Sequence, residues 1–178
     1  FFDKIIMSEV AEHLSNDLKG LKEVYRCMKK GGILLLTVPN HNYPFFCDPV
    51  NWILERLFNF HIKKGFWAGI WNQHIRLYKK EQIASAIEKA GFKIEILEVQ
   101  TRWSLPFSHY LINLGARLLA SRRLPISISR QVNKFDRFDS KKRSLLIRIY
   151  FKLAEYADSF NKKNHSNIGT TVFVKATK

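Results

Sequence analysis

The chain has 178 residues, enough for one hydrophobic core, and its apolar and aromatic content is that of a globular domain. Its formal net charge of +15 is unusually high. No apolar run reaches the roughly 18 residues that a membrane-spanning helix needs, so we exclude a protein integral to the membrane.

The excess positive charge is concentrated late in the chain. From Arg102 to Lys163 there are fourteen Lys or Arg against four Asp or Glu, so this third supplies ten of the fifteen net charges. Such a region predicts a polyanionic partner or an anionic membrane surface, and solvated helix faces are an equal alternative. Cys27 and Cys47 have no metal or redox spacing and favour a reducing compartment. We therefore expect a cytoplasmic protein, with membrane association left open.

The first forty residues predict two strands joined by a helix. Residues 2–7 form a short apolar pattern, with Ile5 and Ile6 buried, and predict a central strand. Residues 33–38 are a continuous apolar run too short for a helix, which predicts a second strand. Strands joined by a right-handed crossover are parallel neighbours in a sheet covered on both faces.

The crossover helix is predicted over residues 17–28, where apolar side chains recur at helical spacing. Ser15 or Asn16 is expected to cap its start. Gly31 and Gly32 are expected to end it, because a helix commonly ends at a left-handed residue. Ligands of such sheets gather beyond the carboxyl ends of the strands, so functional residues are expected after each strand.

Residues 41–78 form an aromatic segment directly after the second predicted strand. Within it, residues 49–60 predict a helix with a shared apolar face formed by Trp52, Ile53, Leu57 and Phe60. Its position predicts a lid over the reacting centre. A capping mini-core without ligand contact is the alternative.

Three further regions complete the predicted organisation. Residues 79–100 predict a helix over 80–89, closed by Gly91 with Ile83 and Ile87 inward, and then an alternating strand with Ile94, Ile96 and Val99 on one face. Residues 101–167 predict a basic insertion with amphipathic helices at 107–121 and 141–160, which either lie on a membrane or pack on each other and the lid. Residues 168–178 predict a final β-branched strand.

An ordered set of motifs runs through the first hundred residues. S-E-V-x-E-H-L follows an F-D-x-I-I strand, the helix ends L-K-E-V-x-R-x-M-K-K-G-G, the next strand ends T-V-P-N, and H-I-R-L-Y-x-x-E-Q-I and A-G-F-K-I follow. This set resembles the class I S-adenosylmethionine-dependent methyltransferases, most closely the branch that includes the ubiquinone-pathway O-methyltransferases. The resemblance implies the C-terminal half of a Rossmann-like α/β sheet, strands four to seven with the last antiparallel, carrying an aromatic lid and a helical insertion.

The resemblance also implies S-adenosylmethionine as the cofactor. The family's glycine-rich G-x-G-x-G loop and its ribose-binding acidic residue belong to a half that is not in this sequence. We therefore expect the chain to be the C-terminal part of a longer protein, and to bind the cofactor poorly on its own. By resemblance, Met7, Ser8 and Glu9 meet the methionine moiety of the cofactor; the alternative is that Ser8 and Glu9 only end the strand.

His13 is the candidate general base, because an imidazole titrates near neutral pH. A similar Glu and Glu-His set in the ubiquinone-pathway enzymes is associated with a divalent metal, which makes a site of Glu9, Glu12 and His13 an alternative that we do not adopt. A helix-capping role for these side chains also stays open.

Four more residues are candidates for binding the substrate. Asn40 and His41 follow the second predicted strand, where a plain turn is the alternative. His74 and Arg76 resemble the family's H-x-R motif before the next helix, and are candidates to bind an anionic group or to tie the lid to the core.

The predicted function is methyl transfer from S-adenosylmethionine, at oxygen rather than nitrogen or carbon, to a small or lipid-linked acceptor. The apolar lid and basic helices favour the lipid-linked acceptor. A nucleic-acid methyltransferase is the first alternative, although no RNA-binding signature is present. A non-catalytic remnant or membrane-docking module is the second.

Overall fold

A computed structural model describes residues 1–103, 106–107, 109–110, 114, 117, 145–161 and 166–178. None of the helices in these ranges is long and apolar enough to cross a membrane. Short 3₁₀ turns occupy Ala11–His13, Phe45–Cys47 and Phe66–Trp71. The helices and strands, in chain order, are β1 (Phe2–Ser8), α1 (Asp17–Cys27), β2 (Met28–Pro39), α2 (Pro49–Phe58), α3 (Lys80–Lys89), β3 (Lys93–Gln100), α4 (Leu145–Asn161) and β4 (Thr171–Thr177).

Four strands form one sheet in the order β1-β2-β4-β3. β1 and β2 are parallel, as the crossover pattern predicts. β4 lies between β2 and β3 and is antiparallel to both. Ser8 is paired with Thr37, so β1 and β2 reach the same edge of the sheet at their carboxyl ends.

The main core lies between one face of the sheet and the helices α1 and α3. The predicted alternation of β4 is confirmed, because Val172, Val174 and Ala176 are fully buried. Gly91 follows α3 with a φ of 106°, the left-handed conformation expected at the end of that helix. The helices contribute Leu21, Ile83 and Ile87, which are also fully buried.

The predicted burial of β1 is wrong for one of its faces. β1 pairs with β2 alone among the described strands, so it lies at an edge rather than at the centre of this sheet. Ile5 is half-buried and Met7 is buried, but Ile6 points to the other face and is 74% exposed.

The predicted end of α1 is also wrong. The helix ends at Cys27, and Met28 is already extended with a φ of −85° and a ψ of 147°. Met28 is the first residue of β2, and its side chain is buried. Gly31 has a φ of 77° but lies inside β2, where its N–H donates to the carbonyl of Lys178. At the other end, Asn16 is the cap, since its side chain accepts from the N–H of Lys19 at 2.8 Å.

β3 departs from simple alternation. Its register against β4 shifts between Ile94 and Ile96. Because of this irregularity Leu97 packs on the core, whereas the predicted core residue Ile96 is exposed.

The predicted basic insertion is described only in part. Most of the predicted helix at 107–121 lies outside the described residues. The second predicted helix is confirmed as α4, where Ile149, Leu153 and Phe160 are each about half exposed. The choice between packing and membrane contact for these helices stays open.

Candidate active site

The turn after β1 joins the ends of the two parallel strands. The N–H of Glu9 donates to the carbonyl of Thr37 at 3.0 Å, and the hydroxyls of Ser8 and Thr37 are 2.8 Å apart. Glu9 has a φ of 52°, an uncommon conformation for a residue with a side chain. Backbone strain of this kind is common at functional turns, which makes the turn at Glu9 a candidate site. The side chain of Met7, the third predicted cofactor residue, is buried in the core.

A cluster of three ionisable side chains follows this turn. The 3₁₀ turn Ala11–His13 carries Glu12 and His13, and the end of the aromatic segment brings in His74. The Nε2 atoms of His13 and His74 are 3.4 Å and 3.9 Å from Oε1 of Glu12. The two imidazole rings are 5.0 Å apart between centroids. We call Glu12, His13 and His74 the carboxylate–histidine cluster.

Glu12 is the least satisfied group of this cluster. Its side chain is 0% exposed, and neither carboxyl oxygen has a hydrogen-bond partner among the described residues. Removal of water raises the pKa of this carboxyl above its ordinary value. Buried polar groups are nearly always hydrogen-bonded, so an unpartnered buried carboxyl calls for an explanation other than stability.

The two histidines are held differently. Nδ1 of His13 lies 3.1 Å from the carbonyl oxygen of Gln73. A carbonyl only accepts, so Nδ1 carries the hydrogen in this contact and Nε2 is left as the basic nitrogen facing Glu12. Burial lowers the pKa of His74, whose Nδ1 has no described partner. His13 is the exposed member of the pair and therefore the accessible base.

Arg76 and Tyr78 connect the end of the aromatic segment to the start of α1. Arg76 donates to the carbonyls of Leu14 and Ser15, and its guanidinium is 3.1 Å from the carboxylate of Asp17. The hydroxyl of Tyr78 lies 2.7 Å from Asp17, to which it donates, and its burial and this bond raise its pKa. These contacts join the end of the aromatic segment to the start of α1, as in the structural alternative that the sequence left open for Arg76.

Asn40 and His41 lie beyond the end of β2. The amide of Asn40 is buried; it donates to the carbonyl of Gly169 at 2.9 Å and accepts from the N–H of Asn42 at 3.1 Å. The N–H of His41 donates to Tyr78, and its buried Nδ1 has no described partner. The two residues are at the predicted edge, and their roles in substrate binding stay predictions.

The aromatic segment has a core of its own. Tyr43, Ile70, Trp71 and Leu77 are buried together, with Trp52 packed against them. Asp48, which caps α2, is fully buried and accepts from the N–H groups of Asn51 and Ile70, from the side-chain amide of Asn51 and from the hydroxyl of Tyr110. We call these hydrogen bonds the Asp48 network. They were not predicted from the sequence, although Asp-Pro at a helix start is a recognisable signal.

The carboxylate–histidine cluster also has the donor types of a metal site. One ligand atom from each of its three side chains lies within 4.8 Å of the others. The sequence alternative used Glu9 together with Glu12 and His13, whereas the group found among the described residues has His74 in place of Glu9. A carboxylate and two imidazoles suit a divalent ion such as zinc or iron.

Comparison with known proteins gives a family but no near relative. A family model described as a methyltransferase domain matches residues 1–97. No curated protein matches the sequence.

Several solved structures resemble the chain at low identity. An S-adenosylmethionine-dependent methyltransferase from Archaeoglobus fulgidus is 14% identical with a TM-score of 0.46, and the match covers 100% of this chain and 60% of that one. A possible histamine N-methyltransferase from Thermotoga maritima is 15% identical with a TM-score of 0.48, covering 99% and 56%. Phosphoethanolamine N-methyltransferase 2 from Haemonchus contortus is 21% identical with a TM-score of 0.46, covering 99% and 33%. The chain thus spans between a third and three fifths of these proteins.

Proposed function

The chain belongs to the methyltransferase-domain family, and we propose that it forms the acceptor-binding part of an enzyme that transfers a methyl group from S-adenosylmethionine. The observation that carries the proposal is the unpartnered, buried carboxyl of Glu12 between two histidines at the edge where the parallel strands end. Ligands bind at this edge in open α/β sheets. The complete enzyme needs the cofactor-binding half that the sequence analysis expects upstream.

Methyl transfer from a sulfonium is an in-line displacement. The acceptor atom attacks the methyl carbon, the carbon–sulfur bond breaks, and the acceptor loses a proton. The protein has to align the two reactants, exclude water and take this proton. No covalent intermediate on the protein is required.

His13 takes the proton from the acceptor hydroxyl in this proposal. Its Nδ1–H is engaged with Gln73, so Nε2 is the accepting atom. Glu12 lies 3.4 Å from Nε2 and stabilises the imidazolium that forms. His74, with Nε2 3.9 Å from the same carboxyl oxygen, is the third member of the cluster.

The remaining predicted residues divide between cofactor and acceptor. The strained turn at Ser8 and Glu9 presents backbone groups to the methionine moiety of the cofactor, and Met7 supports it from the core. His41 has a buried ring nitrogen free for an acceptor, and Asn40 positions the loop that carries it. Arg76 acts as a positioning residue through Asp17, and the acceptor is a small or lipid-linked hydroxyl compound.

A divalent cation is the second candidate for the cluster, favoured by the two free oxygens of Glu12. In that case His13 would be a ligand rather than the base, and the cation would lower the pKa of the acceptor hydroxyl. Dialysis against a chelator separates the candidates. Unchanged turnover after chelation supports the base, whereas loss restored by zinc, manganese or magnesium supports the cation.

The test of the base uses His13→Gln in the full-length protein, with His61→Gln as a matched histidine control outside the cluster. We expect turnover to fall by about 10²–10⁴, while the affinity for S-adenosylhomocysteine stays within about twofold. Turnover of His13→Gln equal to that of the wild type would refute the base. Methylation of RNA alone, or no cofactor binding at all, would instead support the nucleic-acid or the non-catalytic alternative.

A further inference from the structure

Three large apolar side chains are exposed at the end of α2 and just after it. Leu57 is 71% exposed, Phe58 69% and Phe60 57%. We call these three residues the apolar tip. Large apolar side chains grouped in this way on a surface mark an interaction site rather than ordinary solvent exposure.

The segment that contains the apolar tip is positively charged. Arg56, Lys63 and Lys64 are exposed in this segment, and residues 56–67 contain no Asp or Glu. Exposed cations and exposed apolar side chains therefore occur together along these twelve residues.

The lid does not need the apolar tip for its own folding. Its core is built from Tyr43, Ile70, Trp71 and Leu77, and its two ends are joined by the Asp48 network. Asn51, near the start of α2, is fully buried, and its side-chain amide donates to the carbonyls of Trp67 and Ala68. The start of α2 is thus bonded within this segment, whereas the apolar side chains at its end are exposed.

We propose that the apolar tip docks the protein on a membrane surface of anionic phospholipid. Phenylalanine and leucine partition into the boundary between headgroups and acyl chains, and nearby Lys and Arg are attracted to anionic headgroups. Nucleic acid would match the charge of this segment but not its aliphatic and aromatic side chains. Membrane contact is predicted from the sequence for the basic helices, whereas this surface lies in the aromatic segment.

The inference goes beyond the proposed function, because it depends only on the exposed side chains and the charge of residues 56–67.

Sedimentation of the full-length protein with vesicles tests the proposal. The vesicles are phosphatidylcholine alone or phosphatidylcholine with phosphatidylserine, each in low and high salt. One variant combines Leu57→Ser, Phe58→Ser and Phe60→Ser, and the other combines Lys63→Glu and Lys64→Glu. The matched controls are Lys19→Glu with Lys22→Glu on α1, and Ile149→Ser with Leu153→Ser on α4.

We expect the wild type to bind the vesicles with phosphatidylserine in a salt-sensitive manner. The vesicle affinity of both tip variants should be at least about tenfold lower. The controls should bind like the wild type. Equal binding by the tip variants, loss of binding in the α4 control alone, or binding to single-stranded RNA but not to vesicles would overturn the proposal. Thermal melting verifies that each variant is folded, and turnover with a water-soluble acceptor separates failure of docking from failure of methyl transfer.

Discussion

Two buried carboxylates in this molecule have opposite surroundings. Asp48 and Glu12 are both 0% exposed. Asp48 accepts four hydrogen bonds from Asn51, Ile70 and Tyr110. Glu12 has no hydrogen-bond partner among the described residues. The burial of Asp48 is explained by the hydrogen bonds through which it stabilises the fold, whereas the burial of Glu12 has no such explanation.

The difference follows from where each carboxylate lies along the chain. Asp48 precedes a helix, where free N–H groups point back at the capping side chain. Glu12 lies inside a three-residue 3₁₀ turn, and the two imidazoles lie 3.4 Å and 3.9 Å from one of its carboxyl oxygens. Burial that is not offset by hydrogen bonds lowers stability, which is typical of functional groups.

Loss of the Asp48 carboxylate should have the largest effect on stability. Asp48→Ala leaves four donors without their acceptor, so we expect a loss of about 3–5 kcal/mol in the free energy of unfolding. Urea denaturation measures this loss. Asp3→Ala, at an exposed carboxylate paired with Lys29, is the control and should leave the urea midpoint unchanged. A small effect of Asp48→Ala would mean that Asp48, like Glu12, does not stabilise the fold.

The glycine beside Asp48 allows a second test of the same network. Gly69 has a φ of 52°, and a Cβ placed there would overlap the carboxylate of Asp48. Gly65 also has a positive φ, 91°, but a Cβ there meets nothing within 4 Å. We expect Gly69→Ala to cost about 2 kcal/mol more than Gly65→Ala in urea denaturation. Equal costs would mean that the Asp48 network tolerates displacement.

Glu12 should respond in the opposite direction. Glu12→Gln removes a buried charge that has no hydrogen-bond partner, so we expect the free energy of unfolding at neutral pH to stay the same or rise by about 1 kcal/mol. Thermal unfolding in the presence of a chelator measures the change. A loss of more than about 1 kcal/mol would mean that Glu12 serves the fold, as Asp48 does.

The gain from Glu12→Gln should also depend on pH. Burial raises the pKa of Glu12 in the folded state, so the folded protein holds this proton more tightly than the unfolded chain. The wild type therefore loses stability from this group as pH rises from about 4 through the folded-state pKa. Melting temperatures of the wild type and Glu12→Gln should coincide near pH 4 and diverge above it. A constant difference would contradict the raised pKa.

Periodicity predicted the parts of the fold whose sequence repeats match a buried face. β4 and α3 follow their predicted patterns, because Val174 and Ile87 belong to regular repeats. The irregularity in β3 exposes Ile96, and the left-handed Gly31 lies in a strand rather than at a helix end. Such features depend on the neighbouring strand, which a local pattern does not contain.

The candidate site was predicted less completely, for a similar reason. His13 and Glu12 were recognisable together because they are adjacent in the sequence. The sequence suggests His74 as a substrate-binding residue rather than a neighbour of Glu12, since the two lie more than sixty residues apart and meet only when the aromatic segment folds. The hydrogen bonds of Arg76 to the loop before α1 could not be predicted from the sequence either. Their acceptors are backbone carbonyls of a distant segment, which any residue type provides.

The central claim is that Glu12 is kept for chemistry rather than for stability. The most direct test is the single-turnover rate of methyl transfer by Glu12→Gln, with saturating S-adenosylmethionine. We predict a rate at least about 100-fold below that of the wild type, in a variant that melts no lower. A rate equal to that of the wild type would contradict the claim.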